Sequence, residues 1–178
     1  MNHRIIRSNS QSEIVHLFTA VFTDSEGQAE GKIIGNLASE LSKAIDNKNI
    51  VCFATYEHHS LIGSLFFSRL HVKQAINVFM LAPVAVSTNH QGKGVGQSMI
   101  HYGLSELKKR TVDVAITYGD PSFYSKVGFS SLSEEVIQAP LKLSMPEGWL
   151  GLSLTEDHIP QLHEKPTCVN AFNNPSYW

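Results

Sequence analysis

The chain has 178 residues, 42% of them hydrophobic and 17% charged, with 14 basic and 16 acidic side chains for a formal net charge of −2. That length suits one compact domain over residues 1–178, and the lack of surplus positive charge argues against a nucleic-acid or anionic-membrane partner. No apolar run reaches the ~18 residues a membrane-spanning helix needs. The segment Met1 to Gln11 is polar and does not read as a secretory signal. The two cysteines, Cys52 and Cys168, form no CxxC pair. They point to a reduced, cytoplasmic setting, with one long-range disulfide as the alternative.

In chain order, short apolar runs alternate with amphipathic stretches, which predicts a mixed α/β fold. A strand over His3 to Arg7 precedes a helix over Gln11 to Phe22, with Ser10 as its N-cap and Glu13 three residues on. Thr23 to Gln28 is polar and reads as a loop. A second helix follows, with Ile33, Ile34, Leu37, Ala38, Leu41 and Ile45 on one face. Ile50 to Tyr56 and Leu61 to Leu70 predict a hairpin around Glu57-His58-His59-Ser60. Asn77 to Val86 makes a third strand, and pairing should lapse on one side near Pro83.

The loop His90 to Gly96 leads into a helix ending near Arg110, then a strand over Val112 to Thr117. These two strands should be parallel, joined by a right-handed crossover. Pro121 to Lys126 reads as a short helix capped by Gly128, and Phe129 to Ile137 should pair with Trp149 to Leu154. The core spans about residues 3–155, and the tail over 156–178 carries no assignable period.

The most informative stretch is Gln91-Gly92-Lys93-Gly94-Val95-Gly96-Gln97. Three glycines let a backbone turn tightly beside a ligand, and the helix behind them begins with amides that have no internal partner. Those donors and the positive dipole end suit a phosphate or pyrophosphate; an ordinary strand-to-helix turn is the other reading. The spacing of a P-loop is missing. A dinucleotide fingerprint fails as well, because no glycine stands at Val95 or Met99 and Asp113 opens its strand instead of closing it.

Gln91-x-x-Gly94-x-Gly96, with Val84-Ala85-Val86 before it and an amphipathic helix after it, resembles the acetyl-CoA signature of the GNAT acetyltransferases. Gly119-Asp120-Pro121 and Phe123-Tyr124-Ser125-Lys126-Val127-Gly128-Phe129 resemble that family's second segment, in the form found in its YhbS-like bacterial branch. The resemblance implies the GNAT fold: a mixed, mostly antiparallel sheet flanked by helices, with a splayed parallel strand pair at the CoA site. It implies that amides from Gly92 to Gln97 bind the CoA pyrophosphate and that Val84, Ala85 and Val86 pair with the pantetheine arm. Lys126 would reach a CoA phosphate, Phe123 would line the CoA channel, and Tyr124 would be the general acid. No metal is implied, and a homodimer is a family expectation.

Transfer to a primary amine must manage two protons. A lysine-type amine has a pKa of about 10.4 and must lose its proton, while the departing thiolate, at about 8.5 by analogy with cysteine, gains one. A tyrosine can supply the second proton. No acid lies on Asn77 to Val86 to act as base; Glu57, His58, His59 and His71 flank the strands and Asp24 and Glu26 lie in the helix-connecting loop, and each reads as a solvated loop group ahead of a base. Asp24 and Glu26 could draw a cationic acceptor. Direct attack in a ternary complex fits better than an acetyl-enzyme, since Cys52 falls inside a strand with no adjacent base. The alternatives are a non-catalytic acyl-CoA-binding module and a nucleotide-binding protein.

Overall fold

The computed structural model describes residues 1–7, 11–155 and 158–178, so the expected cap at Ser10 lies outside the described residues. The elements are β1 (Asn2–Ile6), α1 (Gln11–Glu26), α2 (Gln28–Lys43), β2 (Ile50–Glu57), β3 (Ser60–Leu70), β4 (Val78–Val86), α3 (Val95–Lys109), β5 (Val114–Tyr118), α4 (Pro121–Tyr124), β6 (Ser130–Ser131) and β7 (Trp149–Ser153). The seven strands lie in the order β1-β2-β3-β4-β5-β7-β6. β4 and β5 run parallel, while β1–β2, β5–β7 and β6–β7 are antiparallel. This is the mixed α/β sheet the alternating pattern predicts. Among the described residues no helix is long and apolar enough to cross a membrane.

The chain divides into two compact units, residues 1–67 with 83–103 and residues 68–82 with 104–178. In the first, α1 and α2 pack through small residues. A Cβ added at Gly31 would run into Thr23, and one added at Gly35 into the Thr19 hydroxyl. Ile14, Phe18, Leu37, Ala38 and Leu41 are buried, and Phe18 meets Phe66 with ring centroids 5.7 Å apart. Gly103 of α3 lets Phe67 approach; a Cβ there would stand 2.7 Å from the Phe67 ring.

Two expectations in this unit are corrected. α1 continues past Phe22 to Glu26, so Asp24 and Glu26 sit on its last turn and not in a loop. The only break between the helices is Gly27, whose φ of 98° suits glycine and whose N–H bonds Thr23 O at 3.0 Å. Ile45 lies beyond the end of α2, because Asp46 gathers the amides of Lys48, Asn49 and Ile50 and turns the chain there.

In the second unit β5 starts at Val114, two residues later than expected. Val112 N–H returns to Leu107 O at 3.2 Å and Thr111 N–H to Lys108 O at 3.1 Å, closing α3 in a Schellman-type turn. The Asp113 carboxylate then accepts the Asn77 N–H at 2.7 Å. The strand expected over Phe129 to Ile137 shrinks to Ser130–Ser131, since Ser133 bends the chain by accepting from Glu135, Val136 and Ile137.

The tail is held by discrete bonds. Thr167 pairs with His71, Lys73 contacts Glu164 at 3.1 Å, and Trp178 is buried against Tyr118, Trp149 and Phe172. Its indole N–H donates to Phe172 O at 2.9 Å.

Candidate active site

The first unit carries the glycine loop. β4 ends at Val86, a 3-10 turn covers Thr88–His90, and α3 begins at Val95. Gly92 and Gly94 have φ of 71° and 78°, the left-handed region, yet a Cβ at either would meet nothing within 4 Å. Glycine is therefore selected by backbone conformation here, and the space beside the loop is open. The first helical bond of α3 runs from Ser98 N–H to Gly94 O at 3.0 Å. The amides of Val95, Gly96 and Gln97 thus precede the helical ladder and sit at the positive dipole end.

Side chains brace this loop from behind. Gln91 Nε2 donates to Val86 O at 2.9 Å, and Lys93 Nζ donates to Asn89 O at 2.9 Å. His90 has Nε2 3.5 Å from the Glu57 carboxylate and Nδ1 3.4 Å from Ser87 Oγ. Thr88 donates to Asp24 Oδ2 at 2.7 Å, tying the last turn of α1 to the approach to the loop. Of the sequence-predicted residues, Gln91 to Gln97 and Val84 to Val86 therefore lie on one continuous strand–turn–helix segment, joined by Asp24. Glu26 is exposed at the same helix end.

β4 offers main chain as well. Its ladder to β5 runs from Val78–Val114 to Leu81–Thr117, while the strand continues through Pro83 to Val86. The predicted lapse in pairing therefore falls on the β5 side. Ser87 N–H bonds Ile62 O at 2.8 Å, so strand alternation turns the polar groups of Val84 and Val86 away from β3. Gln91 already occupies the Val86 carbonyl, which narrows what an incoming strand could use.

The second unit carries the segment around Tyr124. Asp120 caps α4, accepting from Ser122 N–H at 2.8 Å and Ser122 Oγ at 2.7 Å, with Pro121 in the first turn. Gly128 ends the segment at φ 95°. Tyr124 packs edge-on against Phe123 and Phe129, with centroids 5.1 and 5.8 Å away. Burial pushes its phenol above the ordinary tyrosine value; the Thr117 hydroxyl, a hydrogen-bonding neighbour, opposes this, and the Asp120 carboxylate adds to it. The phenol is protonated at neutral pH. Lys126 is exposed, near enough to Asp120 to help hold that carboxyl below its usual range after the two Ser122 hydrogen bonds.

Two residues of this segment carry weight that the sequence pattern does not reveal. A Cβ at Gly119 would stand 2.7 Å from Tyr124 Cε2, so glycine makes room for the ring. Thr117 is fully buried and donates its hydroxyl to Leu81 O at 2.9 Å. Gly119 already stands in the Gly119-Asp120-Pro121 motif, which does not say that its missing Cβ makes room for Tyr124. Thr117 could not have been suspected, because a threonine in a β-branched strand is unremarkable.

The competing chemistries find less support. Asp113 spends its carboxylate on the Asn77 amide at a strand start, where no ribose acid would stand. Both cysteines are free; burial pushes the Cys52 thiol up to about 12 and raises that of Cys168, which disfavours thiolate chemistry at either.

Comparison with known proteins agrees with this geometry. The chain is 28% identical over 105 residues to the uncharacterized N-acetyltransferase YhbS of Escherichia coli K12, covering 58% of this chain and 60% of that protein. It thus spans less than two thirds of that relative's length. The crystal structure of E. coli YhbS in complex with CoA superposes with a TM-score of 0.78 at 21% identity, over 97% of this chain and 92% of that one. A GNAT acetyltransferase from Brucella melitensis in complex with acetyl-CoA gives a TM-score of 0.67 at 23% identity, over 97% and 99%. The family model described as an acetyltransferase (GNAT) domain matches residues 2–132, and the chain belongs to the GNAT family.

Proposed function

We propose that this protein transfers the acetyl group of acetyl-CoA to a primary amine, by direct attack while both substrates are bound. The observation that carries the reading is the open, positive-φ turn at Gly92 and Gly94 in front of the unpaired amides of α3. A pyrophosphate there meets several N–H donors and the helix dipole, with Gly92 to Gln97 as its cradle. The pantetheine arm extends β4, using the main-chain groups of Val84 and Val86 that face away from β3, with Ala85 between them. Lys126 supplies an exposed cation for a CoA phosphate, and Phe123 an apolar wall. Membership of the family and the CoA and acetyl-CoA complexes of the related structures support this ligand.

Tyr124 is the acid. As the amine nitrogen attacks the thioester carbon and the C–S bond breaks, its phenol gives a proton to the sulfur. The raised phenol pKa keeps that proton in place through the neutral range. Activity should therefore be lost on the alkaline side, as the pH rises through a value above about 10.

The amine is drawn by Asp24 and Glu26. Acidic groups on the last turn of a helix oppose its dipole by about 0.3–1 kcal/mol each, and α1 has no basic residue in that turn to offset them. A cationic acceptor would benefit from that arrangement. If a Glu26→Gln variant left the KM of every cationic amine unchanged, this part of the proposal would be wrong.

Calorimetric titration with acetyl-CoA, free CoA and NAD tests the cradle: micromolar binding of the two CoA ligands alone is expected. CoA release in an amine screen tests the reaction, and Tyr124→Phe should lower kcat by about 10²–10⁴. Tight CoA binding with no CoA release from any amine would favour the non-catalytic acyl-CoA-binding module.

A further inference from the structure

We infer that His3 is a positioning residue for the pyrophosphate cradle, holding the first turn of α3 against β2 through Ser98. The inference rests on the reading of Gly92 to Gln97 as that cradle. His3 and Thr55 stand opposite each other in the β1–β2 ladder, and residues paired in this way project from the same face of a sheet. The imidazole lies between two hydroxyls: Nδ1 is 2.8 Å from Thr55 Oγ1, and Nε2 is 2.9 Å from Ser98 Oγ. Thr55 is fully buried and Ser98 half-buried. The ring also stacks on Tyr102, one turn further along α3, with centroids 5.2 Å apart and planes at 27°. One side chain of β1 thus grips two successive turns of α3 on a single face.

The first of those turns borders the cradle. Ser98 N–H makes the opening bond of α3, to Gly94 O at 3.0 Å, so the amides of Val95, Gly96 and Gln97 have no helical bond of their own to hold them. Their direction follows from where Ser98 is held, and the residue holding it lies 95 positions away in the sequence. Burial lowers the imidazole pKa, so the ring is neutral at neutral pH. One nitrogen then donates and the other accepts, and each hydroxyl takes the complementary role. A first turn anchored in this way meets the CoA pyrophosphate already ordered. Without the anchor, binding must order that turn first, and affinity falls.

The test uses the two amides that each reproduce half of the imidazole. Glutamine places its side-chain amide near the position of Nε2 and can keep the Ser98 contact. Asparagine places its own near Nδ1 and can keep only the Thr55 contact. In calorimetric titrations with CoA, His3→Ala should raise Kd about fivefold, the equivalent of one neutral hydrogen bond. His3→Asn should match His3→Ala, and His3→Gln should return to the wild-type value. Ser98→Ala should raise Kd as much as His3→Ala, and the double variant no further, since both changes remove one contact. In CoA-release assays the KM for acetyl-CoA should rise with Kd while kcat stays the same; loss of folded protein would lower kcat instead. Wild-type CoA affinity in His3→Ala, or effects that multiply in the double variant, would overturn the inference. Should His3→Ala fail to fold, the amide pair decides: weaker binding by His3→Asn than by His3→Gln supports the inference, and equal affinities overturn it. No binding of CoA by the wild type at millimolar ligand would instead overturn the cradle, whatever His3 does.

Discussion

The glycine loop and the Tyr124 segment both depend on glycine, for opposite reasons. Gly92 and Gly94 adopt φ of 71° and 78° in empty surroundings, so their requirement is conformational and their surroundings remain available to a ligand. Gly119 has a packing requirement: its missing Cβ is the space that the Tyr124 ring occupies. One segment presents backbone, and the other seats a single side chain. A binding function and a chemical function should therefore separate on mutation.

Between the two kinds of glycine, the larger effect is expected at Gly119. Gly119→Ala drives a methyl group to within 2.7 Å of Tyr124, and overpacking of this kind costs about 1–3 kcal/mol unless the ring moves. Movement of the ring should lower kcat while the Kd of CoA stays put. Calorimetry and CoA-release kinetics on the same preparation check both halves. At Gly94 the pattern should invert. An L-residue at φ 78° costs about 1–2 kcal/mol, so Gly94→Ala leaves the left-handed turn, and CoA binding must restore it. The Kd of CoA should rise about tenfold, which is about 1.4 kcal/mol, and Gly94→Asn should lose less because asparagine tolerates this region. Gly94→Ala with normal CoA affinity and impaired turnover would dissolve the contrast.

The same contrast explains what the sequence discloses. A conformational glycine in front of an amphipathic helix leaves a local pattern, so the loop and α3 were legible. So were the strand pair around β4 and β5 and the buried face of α2. Packing glycines leave little trace: Gly31 and Gly35 sit four apart on α2, and their role against Thr19 and Thr23 needs α1 in place to be seen. Thr117 is held through a carbonyl on another strand, that of Leu81, which no local pattern discloses. The tail was unreadable because it is ordered by single long-range bonds, His71 with Thr167 and Trp178 against Trp149, with no repeating period.

Thr111 sharpens the comparison by standing where glycine would be expected. It ends α3 at φ 56°, a strained place for a β-branched residue, and its carbonyl accepts the Asn77 side chain at 3.0 Å. Thr111→Gly relieves strain of about 1–3 kcal/mol and adds unfolded-state freedom of about 0.5–1 kcal/mol. A net gain of about 1 kcal/mol in urea unfolding is expected, with the Kd of CoA unchanged. A loss of stability would mean that conformation alone does not select glycine in this chain, and would weaken the case at Gly94.

The turn between α2 and β2 shows another way to hold a left-handed residue, with a carboxylate in place of a glycine. Asn47 has φ 55°, and Asp46 beside it accepts from the amides of Lys48, Asn49 and Ile50 and from Asn49 Nδ2. Desolvation works against the Asp46 charge, but the Ile50, Lys48 and Asn49 hydrogen bonds outweigh it and hold the pKa at about 2, below the ordinary 3.8. A carboxyl whose folded pKa is depressed stabilises the fold fully above its unfolded value, and that stability disappears as the pH falls through the folded one. Wild type should therefore exceed Asp46→Asn in urea stability at neutral pH, and the gap should close between about pH 4 and pH 2. Because Asp46 is exposed, the effect should be the smallest of the series. A gap that persisted unchanged to pH 2 would show that the amide of asparagine fails for geometric reasons and that the charge contributes nothing to this turn.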